Sequence, residues 1–101
     1  MNAYYVYTMF NKQDNVLYVG ITNDIYRRMA EHKSKVDKKS FTARYNVDKL
    51  RYFELHGDID AAIAREKQIK VGSRDDKIQM IGGMNPDWRD LAGDIINILN
   101  G

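Results

Sequence analysis

Two short segments near the N-terminus are dense in β-branched and aromatic residues and alternate as half-buried strands do. They cover residues 4–10 and 16–21, and a run of turn-forming residues at 11–15 joins them. This pattern predicts a β-hairpin. Matching the apolar positions of the two strands pairs Val6 with Val19, Tyr7 with Tyr18 and Tyr5 with Gly20. Tyr7 and Tyr18 are then expected on one face of the hairpin.

A helix is predicted directly after the hairpin. Thr22, Asn23 and Asp24 favour a helix start, and the helical spacing that follows places Arg28 and His32 on one face. Residues 33–48 show little periodicity and predict a long basic loop, with Phe41 and Tyr45 as its anchors. Residues 50–55 then predict a third strand.

The sequence pattern of the second half of the chain predicts helices. A helix is predicted from Asp58 to Lys70, and a sequence resembling a capping box at residues 73–76 opens a short helix that Gly82-Gly83 ends. A last helix is predicted from Asn85-Pro86, with an apolar docking stripe at Trp88, Leu91, Ala92, Ile95 and Leu99. The predicted fold is α+β, a small three-stranded, mostly antiparallel sheet flanked by helices in the order β-β-α-β-α-α-α.

Composition limits the class of protein. At 101 residues, the chain is expected to form one domain over residues 1–101. It has no cysteine, so disulfides and cysteine-based zinc sites are excluded. The absence of cysteine also favours a reducing, cytoplasmic location. Because the N-terminus has no charged flank and no segment has an apolar run of about 20 residues, we expect a soluble protein without a membrane partner. The sequence does not indicate the oligomeric state.

The net charge of +2 conceals an uneven distribution. Between Arg27 and Arg51, nine basic residues face three acidic ones, whereas the rest of the chain has a net charge of −4. Charge separated in this way favours a polyanion such as nucleic acid as the partner. A solvated lysine-rich loop with no binding role is the alternative.

Glu66 interrupts the apolar stripe Ile59, Ala62, Ile63 and Ile69 of its predicted helix. A carboxylate buried there without a partner would cost several kcal/mol, so it is expected to meet a cation, a metal or the edge of the protein. A single carboxylate suits one hard ion, Mg²⁺ or Mn²⁺, completed by water and substrate oxygens. The competing interpretation is an ordinary salt bridge with Lys70, one helical turn further on.

The two tyrosines, Arg28 and His32 each have an ordinary explanation as well. The tyrosines could simply be core residues, and Arg28 and His32 could be a surface pair. Taken together with Glu66, however, they match what phosphodiester cleavage requires: a base for water, a cation for the phosphate and a metal ligand. Arginine's planar fork fits two phosphate oxygens in a way that lysine cannot.

These residues resemble the motifs of the GIY-YIG nuclease family. The motifs here are Tyr5-Val6-Tyr7 and Tyr18-Val19-Gly20, with Tyr18 eleven residues after Tyr7, Arg28 ten residues after Tyr18, and His32 four residues further on. Small single-domain bacterial members, similar to the N-terminal nuclease module of the excision-repair endonuclease, are the closest in appearance. The resemblance implies a metal-dependent endonuclease that hydrolyses phosphodiester bonds of nucleic acid, with DNA favoured over RNA and a connection to DNA repair.

The resemblance also implies roles for single residues. Tyr7 corresponds to the general base or its relay, Tyr18 to its partner near the attacking water, and His32 to the acceptor of the tyrosine's proton. Arg28 corresponds to the group that holds the scissile phosphate, and Glu66 to the carboxylate metal ligand. Gly20 corresponds to the glycine that lets the backbone pass close to the site. Residues expected to grip the substrate backbone are Lys33, Lys35, Lys38, Lys39 and Arg44.

The chain departs from the family pattern at two points. Tyr5 stands where the family's name has its first glycine, and the asparagine that many members carry a dozen residues after the glutamate has no clear counterpart, since Asn85 lies nineteen residues beyond Glu66. The alternative function is therefore a nucleic-acid-binding module of the same fold that cuts weakly or not at all. A scaffold whose tyrosines are only core residues is the third hypothesis.

Overall fold

The computed structural model describes residues 3–95 and has the expected α+β architecture. Three antiparallel strands form one sheet in the order β2-β1-β3, so that β1 is central. The predicted fold class is thus confirmed, with one additional short helix before the third strand. The elements are β1 (Tyr4–Phe10), β2 (Leu17–Thr22), α1 (Ile25–Ser34), α2 (Phe41–Arg44), β3 (Lys49–His56), α3 (Ile59–Val71) and α4 (Arg74–Met84).

The register of the hairpin differs from the prediction by two residues. Tyr7 lies opposite Gly20 and Met9 opposite Tyr18, so the predicted pairs Val6 with Val19, Tyr7 with Tyr18 and Tyr5 with Gly20 are wrong. The turn sets this register, because the Asn11 side chain accepts hydrogen bonds from the backbone N–H groups of Asn15 and Val16, both at 3.0 Å. A shift of two residues preserves the faces of both strands. Tyr7 and Tyr18 therefore still share a face, as diagonal neighbours.

Apolar side chains cover both faces of the sheet. On the face that carries Tyr7, the strand residues pack against Ile25 and Met29 of α1 and against Ala92 and Ile95 near the C-terminus. On the opposite face, Val6 and Val19 pack against Ala62 and Ile69 of α3, while Phe10 and Tyr52 pack against Ile81 of α4. The predicted stripe of α3 is only partly buried, because Ile59 and Ile63 remain 38% and 37% exposed.

The segment predicted as an irregular loop contains helix α2. Ser40 begins it by accepting a hydrogen bond from the N–H of Ala43 at 3.2 Å. The predicted anchors, Phe41 and Tyr45, are wrong: both side chains are exposed, and Thr42 and Val47 are buried instead. This segment is therefore held from within by one small polar and one small apolar residue.

The C-terminal region departs from the prediction at two boundaries. The capping box of α4 is present, between Ser73 and Asp76, but the helix continues through Gly82-Gly83 to Met84. It ends at Asn85, whose buried side-chain amide donates to the carbonyls of Arg51 and Arg89. No helix starts at Asn85-Pro86, because residues 85–91 form turns and irregular backbone and Trp88 has a left-handed φ of 53°. Helical structure resumes at residues 92–95, and Leu99 lies outside the described residues.

Candidate active site

Tyr7 is the centre of the candidate site. Its side chain is fully buried on the central strand, and its ring centroid lies 6.1 Å from that of Tyr18 and 6.0 Å from that of His32. Gly20 faces Tyr7 across the hairpin, and a Cβ placed there would lie 2.6 Å from the Tyr7 hydroxyl and 2.7 Å from Cε1 of Tyr18. The space that the glycine leaves is thus filled by the two tyrosine rings.

Helix α1 brings Arg28 and His32 to the Tyr7 hydroxyl. Asp24 fixes its start by accepting a hydrogen bond from the N–H of Arg27, and the spacing of four residues then stacks Arg28 and His32 on one face. The Arg28 Nε–H group donates to the Tyr7 hydroxyl at 3.2 Å, and that hydroxyl lies 3.4 Å from Nε2 of His32. The predicted convergence of these three side chains is therefore present in the structure.

Thr42 of α2 completes a hydrogen-bonded chain. Its hydroxyl lies 3.1 Å from Nδ1 of His32, and it also lies 3.4 Å from the hydroxyl of Ser40. When the neutral imidazole carries its proton on Nδ1, Nδ1–H donates to Thr42 and Nε2 accepts from Tyr7. A chain thus runs from Arg28 through Tyr7 and His32 to Thr42.

The protonation states of this chain follow from its burial. Burial raises the pKa of Tyr7 to about 12, although the hydrogen bond from Arg28 opposes this shift. Burial, with the neighbouring charge of Arg28, lowers the pKa of His32 to about 4. The hydrogen bond to Tyr7 raises the already high pKa of Arg28. At neutral pH, the site therefore contains a neutral phenol, a neutral imidazole and a guanidinium cation.

Two adjoining cavities open onto Arg28 and His32. One has a volume of about 240 Å³ and is lined by Tyr18, Arg28, His32, Ser40, Phe41 and Thr42. The other, of about 150 Å³, shares Arg28 and His32 and extends toward Lys35 and Asp37. The Arg28 side chain is 40% exposed, with Glu31 at 3.5 Å as its acidic neighbour. Arg28 can therefore face a ligand in the cavity while its Nε–H group holds Tyr7.

Glu66 lies on α3, which packs on the other face of the sheet. Its side chain is 20% exposed, and Oε1 is 3.3 Å from Nζ of Lys70, so the predicted salt bridge is present. Lys70 in turn lines a depression of about 290 Å³ beside the edge strand β2, together with Tyr18. The carboxylate thus lies one helical turn from a residue that shares a surface with Tyr18.

The residues expected to hold a metal fit only a sparsely ligated ion. Within residues 3–95, no group of three or more histidine, aspartate or glutamate side chains could enclose a metal. Glu66 has a partly accessible carboxylate whose ion-pair partner, Lys70, is a half-exposed and flexible side chain. Mg²⁺ accepts such a site, because it keeps several waters and is often held by one or two carboxylates together with substrate phosphates.

The basic residues expected to grip a substrate differ in their surroundings. Lys33 is ion-paired with Asp90, and Nζ of Lys35 lies 3.6 Å from Asp48. Lys38, Lys39 and Arg44 are exposed, and within the part of the chain that the structure describes they have no acidic partner. These three cations are therefore the ones most available to a phosphate backbone.

Two contributors to the site were not identified from the sequence. Thr42 is buried at 8% exposure and orients His32, and Ser40 begins the helix that carries Thr42. Ser40 two residues before Thr42 is a recognisable helix-start signal, but nothing in the sequence indicates that this helix would face His32. Asn85 makes its side-chain hydrogen bonds to backbone atoms of Arg51 and Arg89, which explains its burial without a part in the chemistry.

Comparison with known proteins identifies the class. Residues 3–79 match the model of the GIY-YIG catalytic domain, so the chain belongs to the GIY-YIG family. Within this family, it is similar to UPF0213 proteins. The UPF0213 protein of Syntrophus aciditrophicus is 34% identical over 87 residues, which cover 86% of this chain and 98% of that protein. That of Staphylococcus haemolyticus is 37% identical over 81 residues, covering 80% and 96%.

The fold is shared with a solved structure. The solution NMR structure of a UPF0213 protein from Bacillus halodurans matches with a TM-score of 0.56 at 24% sequence identity, covering 87% of this chain and 92% of that one. The agreement supports the sheet-and-helix arrangement described above. No helix among residues 3–95 is long and apolar enough to cross a membrane.

Proposed function

We propose that this protein is an endonuclease that hydrolyses phosphodiester bonds of nucleic acid, with DNA as the substrate. The observation that carries the proposal is the hydrogen-bonded chain Arg28–Tyr7–His32–Thr42, whose members other than the buried Tyr7 line a cavity. A packing role alone does not require a phenol, an imidazole and a guanidinium to meet at one hydroxyl. Membership of the GIY-YIG family supports the same reaction.

In the proposed mechanism, Tyr7 moves a proton without becoming a stable anion. Its oxygen accepts a hydrogen bond from Arg28 and has a second lone pair. The attacking water would reach this buried hydroxyl from the cavity that Arg28 and His32 line, and the proton of Tyr7 would go to Nε2 of His32, 3.4 Å away. As water attacks phosphorus, Tyr7 would take the water's proton and pass its own to His32. The P–O bond to the leaving oxygen breaks, and that oxygen would take a proton from solvent. A pKa of about 12 for Tyr7 suits such a relay, because the phenol stays protonated until that moment.

The other residues would position the substrate. The terminal N–H groups of Arg28, one of which is ion-paired with Glu31 at 3.5 Å, would turn to the phosphate oxygens on which charge grows. Tyr18, half-buried at the cavity wall, would help to place the water. Thr42 keeps Nε2 of His32 as an acceptor by taking the Nδ1–H hydrogen bond. When bound at Glu66, Mg²⁺ or Mn²⁺ would supply positive charge to the phosphate.

The test is cleavage of labelled single-stranded, duplex and branched DNA with Mg²⁺, Mn²⁺ or EDTA. We expect metal-dependent cutting that Tyr18→Phe and Glu66→Ala each reduce by about 10²-fold or more. Tyr4→Phe, on the opposite face of the sheet, and Asp60→Ala, exposed on the first turn of α3, are matched controls that should cut normally.

The outcomes separate the two candidate functions. Cutting that is lost in both site variants and retained in both controls supports the endonuclease. If the folded wild type binds DNA but cuts none of these substrates, or if the site variants cut as well as the controls, the proposal is rejected. A DNA-binding module without efficient cleavage would then be the better description.

A further inference from the structure

Two aromatic rings stand exposed beside the candidate site. Phe41 and Tyr45, four residues apart around α2, have ring centroids 4.9 Å apart at an angle of 44°. Each remains 47% exposed even after this contact. Thr42 and Val47 are the buried residues that hold this segment in place, so the two rings are not needed as anchors. They leave aromatic surface in contact with water, which is unfavourable unless a partner covers it.

The positive charge around the two rings indicates which kind of partner would cover them. The guanidinium of Arg44 lies 5.8 Å from the centroid of Tyr45, and Lys38 and Lys39 are exposed a few residues away. Residues 38–46 contain three basic residues and no acidic one. A polyanion that also offers flat π-surfaces is complementary to such a patch, and a nucleic acid strand with accessible bases meets both conditions. The bases inside a duplex are stacked on one another and are not accessible in this way.

The aromatic patch is continuous with the candidate site. Phe41 is itself part of the wall of the cavity that Tyr18, Arg28 and His32 line. A nucleotide whose phosphate is held by Arg28 would therefore have its neighbouring base within reach of Phe41. The next residue of the pair, Tyr45, extends the same aromatic surface.

We propose that Phe41 and Tyr45 form a stacking platform for an unpaired base next to the phosphate at Arg28, so that the protein selects DNA with single-stranded character at the point of cleavage. This inference rests on the proposed function, because it takes the phosphate of the substrate to lie at Arg28. It assigns to the aromatic pair a role in choosing the substrate, separate from the proton relay of Tyr7 and His32.

The experiment measures binding without cleavage. The full chain, in EDTA and at one fixed salt concentration, is titrated into a labelled single strand and into the matching duplex. The variants are Phe41→Leu, Tyr45→Leu and the double variant, which keep the charge and remove the rings. Val71→Ala, at an apolar residue 85% exposed at the end of α3, controls for loss of exposed apolar surface. Thermal unfolding of each variant confirms that it is folded.

We expect each leucine variant to weaken single-strand binding about tenfold, with little change in duplex binding or in either affinity for Val71→Ala. The inference is overturned if the wild type does not bind the single strand. It is equally overturned if the leucine variants bind it as the wild type does, or lose duplex affinity to the same extent. Cleavage is measured separately. If the leucine variants lose single-strand affinity but the wild type does not cut DNA, the proposed nuclease function is rejected and the stacking platform is supported.

Discussion

Gly20 is the residue at which one added methyl group should disturb the site most. Its Cβ would lie 2.6 Å from the Tyr7 hydroxyl and 2.7 Å from Cε1 of Tyr18, and Tyr7 is fully buried and cannot simply swing aside. We expect Gly20→Ala to lower the free energy of unfolding by about 1–3 kcal/mol and to pull Tyr7 away from Arg28. Urea denaturation measures the first effect.

Gly57→Ala is the matched control, since a Cβ there meets nothing within 4 Å. Its stability should stay within about 0.5 kcal/mol of the wild type. If Gly20→Ala unfolds at the same urea concentration as Gly57→Ala, the close approach of the two tyrosine rings is not the reason that position 20 has a glycine.

His32 should make the fold sensitive to mild acid. Burial and the charge of Arg28 lower its pKa from 6.5 to about 4. Between pH 6.5 and pH 4, His32 is therefore protonated in the unfolded chain but neutral in the folded one. Stability is therefore complete above about pH 6.5 and falls as the pH decreases toward 4, by about 3 kcal/mol at most. Urea unfolding across this range should show a steeper loss for the wild type than for His32→Gln. Parallel curves would contradict this prediction.

Among the elements, α3 is fixed to β3 through Glu54. This carboxylate accepts hydrogen bonds from Arg65 of α3 at 2.7 Å and from Tyr52 on its own strand, and Nε2 of His56 lies 2.9 Å away. Burial alone would raise the pKa of Glu54, but the hydrogen bonds from Tyr52, His56 and Arg65 lower it overall. The helix that carries Glu66 is thus attached to the sheet by a charged contact as well as by apolar packing.

Glu54→Gln should loosen this attachment. Removing the charge weakens the hydrogen bond from Arg65, and we expect a loss of about 1–3 kcal/mol in chemical denaturation at neutral pH. The wild type's advantage should disappear as the pH falls through the lowered pKa of Glu54, because its carboxylate is then protonated. Asp60→Asn, at an exposed position on the same helix, should have little effect. An advantage that persisted in acid would mean that the charge is not responsible.

The sequence predicted elements better than it predicted their boundaries and contacts. Alternation and helical spacing located the strands and the faces that carry Tyr7 and Arg28. They could not decide the hairpin register, because registers two residues apart bury the same side chains and only the Asn11 turn distinguishes them. Gly82-Gly83 did not end α4, because Asn85 closes the helix beyond them. Thr42 was missed because its role depends on how α2 packs against α1. A local sequence pattern does not show how two helices pack.

At the scale of the whole molecule, the uneven charge should appear as salt dependence of DNA binding. Lys38, Lys39 and Arg44 are exposed, whereas Lys33 and Lys35 are already paired with aspartates. Replacing the first three by glutamine should reduce the slope of log K against log salt by about 2–3, because each phosphate contact contributes about 0.7–0.9. Lys12→Gln, in the hairpin turn, is the control and should leave the slope unchanged. A triple variant with the wild-type slope would exclude these cations from the interface.

Tyr7 serves the core and the proposed chemistry with different parts of one side chain. Its ring lies on the central strand and is fully buried, while its hydroxyl accepts the hydrogen bond from Arg28 and lies 3.4 Å from Nε2 of His32. Natural selection can therefore act on the two parts separately. A descendant that no longer needed the reaction could replace Tyr7 by phenylalanine and keep its fold, but could not replace it by a small residue without losing about 3–5 kcal/mol of stability. Retention of the hydroxyl at position 7, rather than of the ring, would therefore indicate in related sequences whether the proposed reaction is still under selection.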